Sequence, residues 1–221
     1  MVPASILELA RREAVSIETG KSGFGPSMPQ ADITACLLEH AAAGHHVVRL
    51  KSGDPSIFGR LDEERAACDQ AGIASTVIPG ITAASAAAAA LGRALTRRGR
   101  NSRLSFLTAH DIKGFADHDW RSLARPDHVA AFYMAKRAAV FLQGRLLMHG
   151  AAPDTPLAVL WNVSQPQEHR LSTTLATLAA DMEAVPTEGP AVLLYGLTAD
   201  AAAAGAHWAT APLFQPHEIA Q

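Results

Sequence analysis

HVVRLKSGDPSIFGR, residues 46–60, is the stretch from which the fold is read. Its first five residues form a short, β-branched, apolar run of the kind that fills a buried strand. The run passes directly into the loop KSGDPSIFGR at residues 51–60. Upstream, residues 30–43 place Ile33, Leu37 and Leu38 on one helical face, and Gly44 supplies a C-terminal stop. Downstream, residues 63–71 read as a helix closed by Gly72. STVIPG at 75–80 reads as a strand ending in Pro-Gly, and an alanine-rich helix is predicted over 82–91. Residues 6–14 read as a helix and 15–18 as a short strand, followed by a Gly, Ser and Pro-rich loop at 20–29. This succession of strand, loop and helix with short connections predicts an α/β protein with a mainly parallel sheet.

A second set begins at RLSFLTAHD. Strands are expected at 104–108, 129–134, 157–162 and 191–196, with helices at 138–149 and 173–183. Residues 92–101 are rich in Arg and Gly and poor in apolar side chains, which makes them the expected boundary. The chain is therefore read as two α/β lobes, 1–101 and 102–221.

With 221 residues and 48% hydrophobic content, the chain can bury one core or two small ones. A formal net charge of −2 and the lack of a basic run argue against nucleic-acid binding. The two cysteines, Cys36 and Cys68, build neither a disulfide framework nor a CxxC pair, and no His/Cys spacing suggests a metal site. The longest apolar run, 83–91, is too short to span a membrane, and the amphipathic start MVPASILELARREA lacks the apolar core of a signal peptide. A cytoplasmic location is expected.

Three loops follow expected strands: KSGDPSIFGR, PGITAAS at 79–85 and YMAK at 133–136. In parallel α/β sheets, ligands collect at the C-terminal ends of strands. Gly53 permits positive φ or close approach of backbone to a ligand. Asp54-Pro55 sets a turn and brings a carboxylate. Gly80 opens a helix whose first N–H groups can receive polar ligand atoms.

In these loops the sequence resembles the uroporphyrinogen-III C-methyltransferases, within the S-adenosylmethionine (SAM)-dependent tetrapyrrole methyltransferases. RLKSGDPSIFGR is similar to their RLKGGDPFIFGRGGEE, VIPGITAASAAAAALGRALTRR to VPGITAASG…GIPLTHR, and FYMAK to FYMG. Weaker matches in the same order are TGKSG, MPQADI, APDTPLAVLWNVSQPQ and GPAVLLYGLTA, so the resemblance runs to about Ala199. Ser52, Ala135 and Val163 stand where the family pattern has glycine, and Leu61-Asp62 where it has Gly-Gly.

The resemblance implies the two-lobed tetrapyrrole-methylase fold, a homodimer, and SAM folded into a cleft between the lobes, leaving S-adenosylhomocysteine as product. By position the SAM contacts would be Ser52, Gly53, Asp54 and Ile57 from the first loop, Thr82 and Ala83 from the second, Met134 from the third, and Val163 from WNVS. Lys21 matches a lysine proposed as an acid. Lys21, Arg97, Arg98, Lys113 and Lys136 could meet substrate carboxylates. The implied activity is methylation of uroporphyrinogen III at C2 and C7 to precorrin-2, toward sirohaem or cobalamin. A methyltransferase of a later precorrin and a silent binding remnant are the alternatives. The family's opening strand, its GxGPGDPELLT loop and the Asp of YDxLV have no counterpart, so a truncated N-terminal lobe is expected, through either a misplaced start or a real fragment. A real fragment would lose a central parallel strand, and with it stability and activity.

Overall fold

A computed structural model describes residues 2–20, 28–185 and 187–197. The chain divides into two compact units, Met1–Thr82 and Ala83–Gln221. This division falls earlier than the expected boundary at 92–101. The reason lies in the alanine helix α4 (Ala83–Ala90), whose Ala84, Ala87 and Ala90 pack with Leu160, Val192 and Leu194 of the second unit's sheet.

The first unit contains helices α1 (Ala4–Leu7), α2 (Gln30–Ala42) and α3 (Leu61–Gln70). Helix α2 ends as expected at a left-handed glycine, Gly44, with φ of 84°. Helix α1 is one turn long instead of spanning 6–14. The segments expected as strands at 15–18, 46–50 and 75–80 are free of helix, turn and bend, yet among the described residues of this unit none enters a hydrogen-bonded ladder. Val15, Val48 and Ile78 are largely exposed. β-branched side chains favour extended backbone, but a strand is defined by its pairing, and composition alone does not supply a partner.

The second unit is built on a five-stranded sheet of β1 (Arg103–Thr108), β4 (His128–Tyr133), β5 (Pro156–Trp161), β6 (His169–Thr174) and β7 (Ala191–Tyr195), in the order β1-β4-β7-β5-β6. Strands β2 (His110–Asp111) and β3 (Gly114–Phe115) form a separate small hairpin. Only β1 and β4 pair in parallel; β4 with β7, β7 with β5 and β5 with β6 are antiparallel. The sheet is therefore mixed, which corrects the expectation of a mainly parallel one. HVAAFY, PLAVLW and AVLLY are nearly continuous apolar runs because both faces are covered. Such runs report double-sided burial, not strand direction.

Side chains alternate between two cores, as the pleat requires. Ala130, Phe132, Leu157, Val159, Trp161, Leu193 and Tyr195 face α5 (Trp120–Leu123), α6 (Ala139–Met148) and α7 (Leu178–Ala184). Val129, Ala131, Ala158, Leu160, Val192 and Leu194 face α4. The four strands expected from sequence in this unit lie within one residue of their observed bounds. The helix expected at 173–183 is shorter, because RLSTT belongs to β6 and pairs with β5 from Trp161↔His169 to Pro156↔Thr174. Arg170 of β6 ties this edge to α4: it pairs with Glu168 and donates from Nη1 to the Ala90 carbonyl (2.5 Å). A cation at the carbonyl end of a helix is favoured by the helix dipole.

Leu142 of α6 is buried against the sheet. Its replacement by alanine is expected to cost about 2–5 kcal/mol in urea unfolding. A cost below about 0.5 kcal/mol, the range of surface substitutions, would contradict the packing described.

Candidate functional site

In the first unit, two of the three expected loops meet. Asp54 Oδ2 accepts from the Gly80 N–H (3.0 Å), and Oδ1 accepts from the Ser56 N–H (2.8 Å) and the Ser56 hydroxyl. The hydroxyl of Ser56, the Gly80 N–H and the Ser56 N–H hold the Asp54 carboxyl below its ordinary range. Its two oxygens thus staple residues 52–57 to the PGIT turn. Glycine is required at the crossing: a Cβ on Gly80 would overlap the Gly53 carbonyl, and one on Gly59 would overlap that of Pro55. Gly53 has φ of 72°, the left-handed conformation its position suggested.

The loop then turns twice more through left-handed backbone, at Phe58 (φ 52°) and Arg60 (φ 55°). Both lack the freedom of glycine, so this shape is held by its surroundings. Arg60 makes a two-pronged pair with Glu63, Nε to Oε1 at 2.7 Å and Nη2 to Oε2 at 2.6 Å. Ser52 and Gly53 are exposed, while Asp54, Ile57 and Thr82 are half-buried. Lys21 lies outside the described residues.

Beside the loop sits a cluster that the sequence reading passed over. Glu64, in the first turn of α3, is buried. Its Oε2 receives Lys51 Nζ at 2.6 Å, and its Oε1 receives Arg49 Nε at 3.2 Å and Gln30 Nε2 at 3.0 Å. Arg49 and Lys51 reach the same carboxylate from positions two apart, in a segment without helix, turn or bend. The signal was present as alternating cations, RLK, ahead of the acidic pair Glu63-Glu64.

In the second unit, the remaining candidates gather along one sheet edge. Strand β4 runs parallel to β1; β7 opposes β4, and β5 opposes β7, so β1, β4 and β5 all run in one direction. Tyr133 and Leu160 flank Val192 from its two sides. Met134 and Val163 therefore leave the sheet at the same edge, the one carrying the C-terminal ends of three strands. Met134 is left-handed (φ 56°) and half exposed, with Sδ 4.0 Å from the Thr108 hydroxyl. Val163 lies between two left-handed residues, Asn162 (φ 50°) and Ser164 (φ 63°), and packs on the α4 side of the sheet. Helix α4 begins at Ala83, and its Ala84 N–H donates to Tyr133 Oη (3.1 Å). That hydroxyl ties the helix start to the residue before Met134, a link with no sequence motif.

Among the described residues no group of three His, Cys, Asp or Glu side chains could hold a metal ion, and no helix is long and apolar enough to cross a membrane.

Comparison with known proteins defines the class. Residues 2–179 match the profile of the Tetrapyrrole (Corrin/Porphyrin) Methylases, and the chain belongs to that family. It is 42% identical over 217 residues to a siroheme synthase of Xylella fastidiosa (strain M12), covering 98% of this chain and 45% of the relative. It is 38% identical over 198 residues to a uroporphyrinogen-III C-methyltransferase of Sinorhizobium sp, covering 89% of this chain and 71% of that one. The chain thus spans less than half the length of the siroheme synthases it matches. Among solved structures, the uroporphyrin-III C-methyl transferase from Thermus thermophilus, complexed with S-adenyl homocysteine, superposes with a TM-score of 0.65 at 31% identity, over 78% of this chain and 77% of that one.

Replacing Gly80 by alanine is expected to cost about 1–3 kcal/mol, because the new methyl group must push back a carbonyl. Gly20→Ala, whose Cβ would meet nothing within 4 Å, serves as the control. Equal urea midpoints for the two variants would contradict the crossing of the two turns.

Proposed function

We propose that this chain is a SAM-dependent C-methyltransferase that converts uroporphyrinogen III to precorrin-2 by methylation at C2 and C7. The observation that carries the reading is the Asp54 staple: it joins the two glycine turns whose sequences match the family's loops, and it leaves Ser52 and Gly53 exposed. The Sinorhizobium and Thermus relatives, named as C-methyltransferases of uroporphyrinogen III and uroporphyrin III, support the C-methyltransferase part of the reading.

The residues present suit a sulfonium nucleoside. Exposed backbone at Ser52 and Gly53 offers polar groups to a ligand, and Met134 and Val163 offer apolar surface. Thr82 and Ala83, at the start of α4, are proposed as further contacts of the cofactor. When bound, SAM supplies a methyl group already electrophilic enough for a pyrrole carbon to attack. The task of this chain is then to orient and to exclude water. The exposed cations Arg97, Arg98, Lys113 and Lys136 are proposed as partners of substrate carboxylates, and Lys21 as an acid. A homodimer in the cytoplasm belongs to the same proposal.

Incubation of the chain with SAM and uroporphyrinogen III is expected to yield a sirohydrochlorin-type absorption after oxidation, with two methyl groups transferred per tetrapyrrole. Methyl transfer to a later precorrin alone would overturn the substrate assignment. Absence of transfer to either, together with no heat on titration with S-adenosylhomocysteine, would overturn the enzyme assignment.

A further inference from the structure

We propose that Glu64 is a positioning residue, whose buried carboxylate fixes Lys51 and Arg49 and thereby sets the shape of the Ser52–Ile57 turn. The inference rests on reading that turn as part of the cofactor site.

Three elements end on this one carboxylate: the first residue of α2 (Gln30), the strand-like segment at Arg49 and Lys51, and the first turn of α3 that carries Glu64 itself. The side chains of Lys51 and Glu64 are 13% and 6% exposed, and that of Arg49 is 29% exposed, so the pair is shielded from water on both sides. Lys51 immediately precedes Ser52. Pinning its Nζ at 2.6 Å limits where the turn can begin, while Asp54 and Gly80 determine where it goes next. No ladder among the described residues holds 46–50, so the backbone ahead of the turn takes its placement from these side chains. Arg60, the other cation of this stretch, is bound to Glu63 and leaves Glu64 to Arg49 and Lys51.

The charges set a pH range for the anchor. Burial pushes the Glu64 carboxyl up, but hydrogen bonds from Lys51 and Gln30 and the positive charges of Lys51 and Arg49 more than offset it, leaving the carboxyl below its ordinary range. Glu63, itself lowered by Arg60, is the neighbouring like charge. The anchor is therefore complete at neutral pH. It is lost as pH falls through the depressed folded value.

The test compares the parent chain with Glu64→Gln, Lys51→Met and Lys51→Arg, with circular dichroism confirming the fold of each. Titration with S-adenosylhomocysteine is expected to show Kd raised about tenfold or more in Glu64→Gln and Lys51→Met, a difference of about 1.4 kcal/mol. Lys51→Arg, which keeps the charge, should stay within about threefold of the parent, under half of that energy. Affinity of the parent should fall toward acid pH, while that of Glu64→Gln should be flat over the same range. Amide exchange of residues 52–57 gives a reading that needs no ligand: it should quicken in Glu64→Gln and Lys51→Met and remain slow in Lys51→Arg. No heat with the parent but quickened exchange in the variants would remove the cofactor reading and leave the anchor standing. Unchanged exchange, or unchanged Kd, in folded Glu64→Gln would overturn the anchor. Should Glu64→Gln fail to fold, Lys51→Met decides, since Glu64 keeps Arg49 and Gln30 there.

Discussion

The second unit depends on one constraint: a five-stranded sheet must bury both of its faces. Every central strand therefore presents apolar side chains alternately to two cores, and only the strand ends are released for other work. Alanine is what makes the α4 face possible. Ala84 and Ala87 are fully buried, and their small side chains let the helix lie close to Val192 and Leu194. A helix so placed delivers its first turn to the hydroxyl of Tyr133, at the end of β4. The position of the candidate ligand-facing residues is thus a by-product of how the sheet is covered.

The first unit solves a different problem. Its β-branched segments have no ladder partners among the described residues, so side-chain polar groups take over part of the positioning. Asp54 links the glycine turns, and Glu64 gathers Gln30, Arg49 and Lys51. Two carboxylates with low pKa values are the physical mark of this arrangement. Asp54 owes its lowering to hydrogen bonds from Ser56 and Gly80; Glu64 owes its own to paired cations that outweigh burial. Breaking a buried ion pair from one side leaves the other charge without compensation, which typically costs about 3–5 kcal/mol. The cluster is a commitment of the fold, unlike the exposed Arg60–Glu63 pair, where solvent screens most of the gain.

Much of the second unit was legible in the sequence because periodicity and composition agree there. HVAAFY, PLAVLW and AVLLY could be placed as strands to within a residue. Their direction could not, because a residue buried on a sheet face looks the same whichever way its neighbour runs. RLSTT carries no core pattern that marks a strand, and the helix expected from Thr173 takes in its last two residues; its strand state comes from pairing with β5 at the sheet's edge. In the first unit, the turn glycines were legible because their function is local: Gly53 needs positive φ and Gly80 needs empty space. The roles of Glu64 and Tyr133 were not, because each acts on a residue distant in sequence, over separations of 15 and 49 positions for Arg49 and Ala84. The motif named Asp54 as a ligand contact. The structure gives its carboxylate work within the fold, holding two turns together.

The staple bears on the shape that such a loop presents. The Asp54 carboxylate accepts from the Gly80 N–H on one oxygen and from Ser56 on the other. Within the fold it aims the backbone of both turns. Left-handed residues at Gly53, Phe58 and Arg60 reverse the chain repeatedly within eight positions, presenting N–H and C=O groups in a pattern no helix or strand could produce. Backbone groups aimed this way carry no net charge and need no rotamer to be frozen on binding. The ordering cost is met on folding, by the ion pairs and the glycine crossing. A change in such a loop is therefore felt most at the residues that hold it, Asp54, Glu64 and Gly80, and less at those that merely line it.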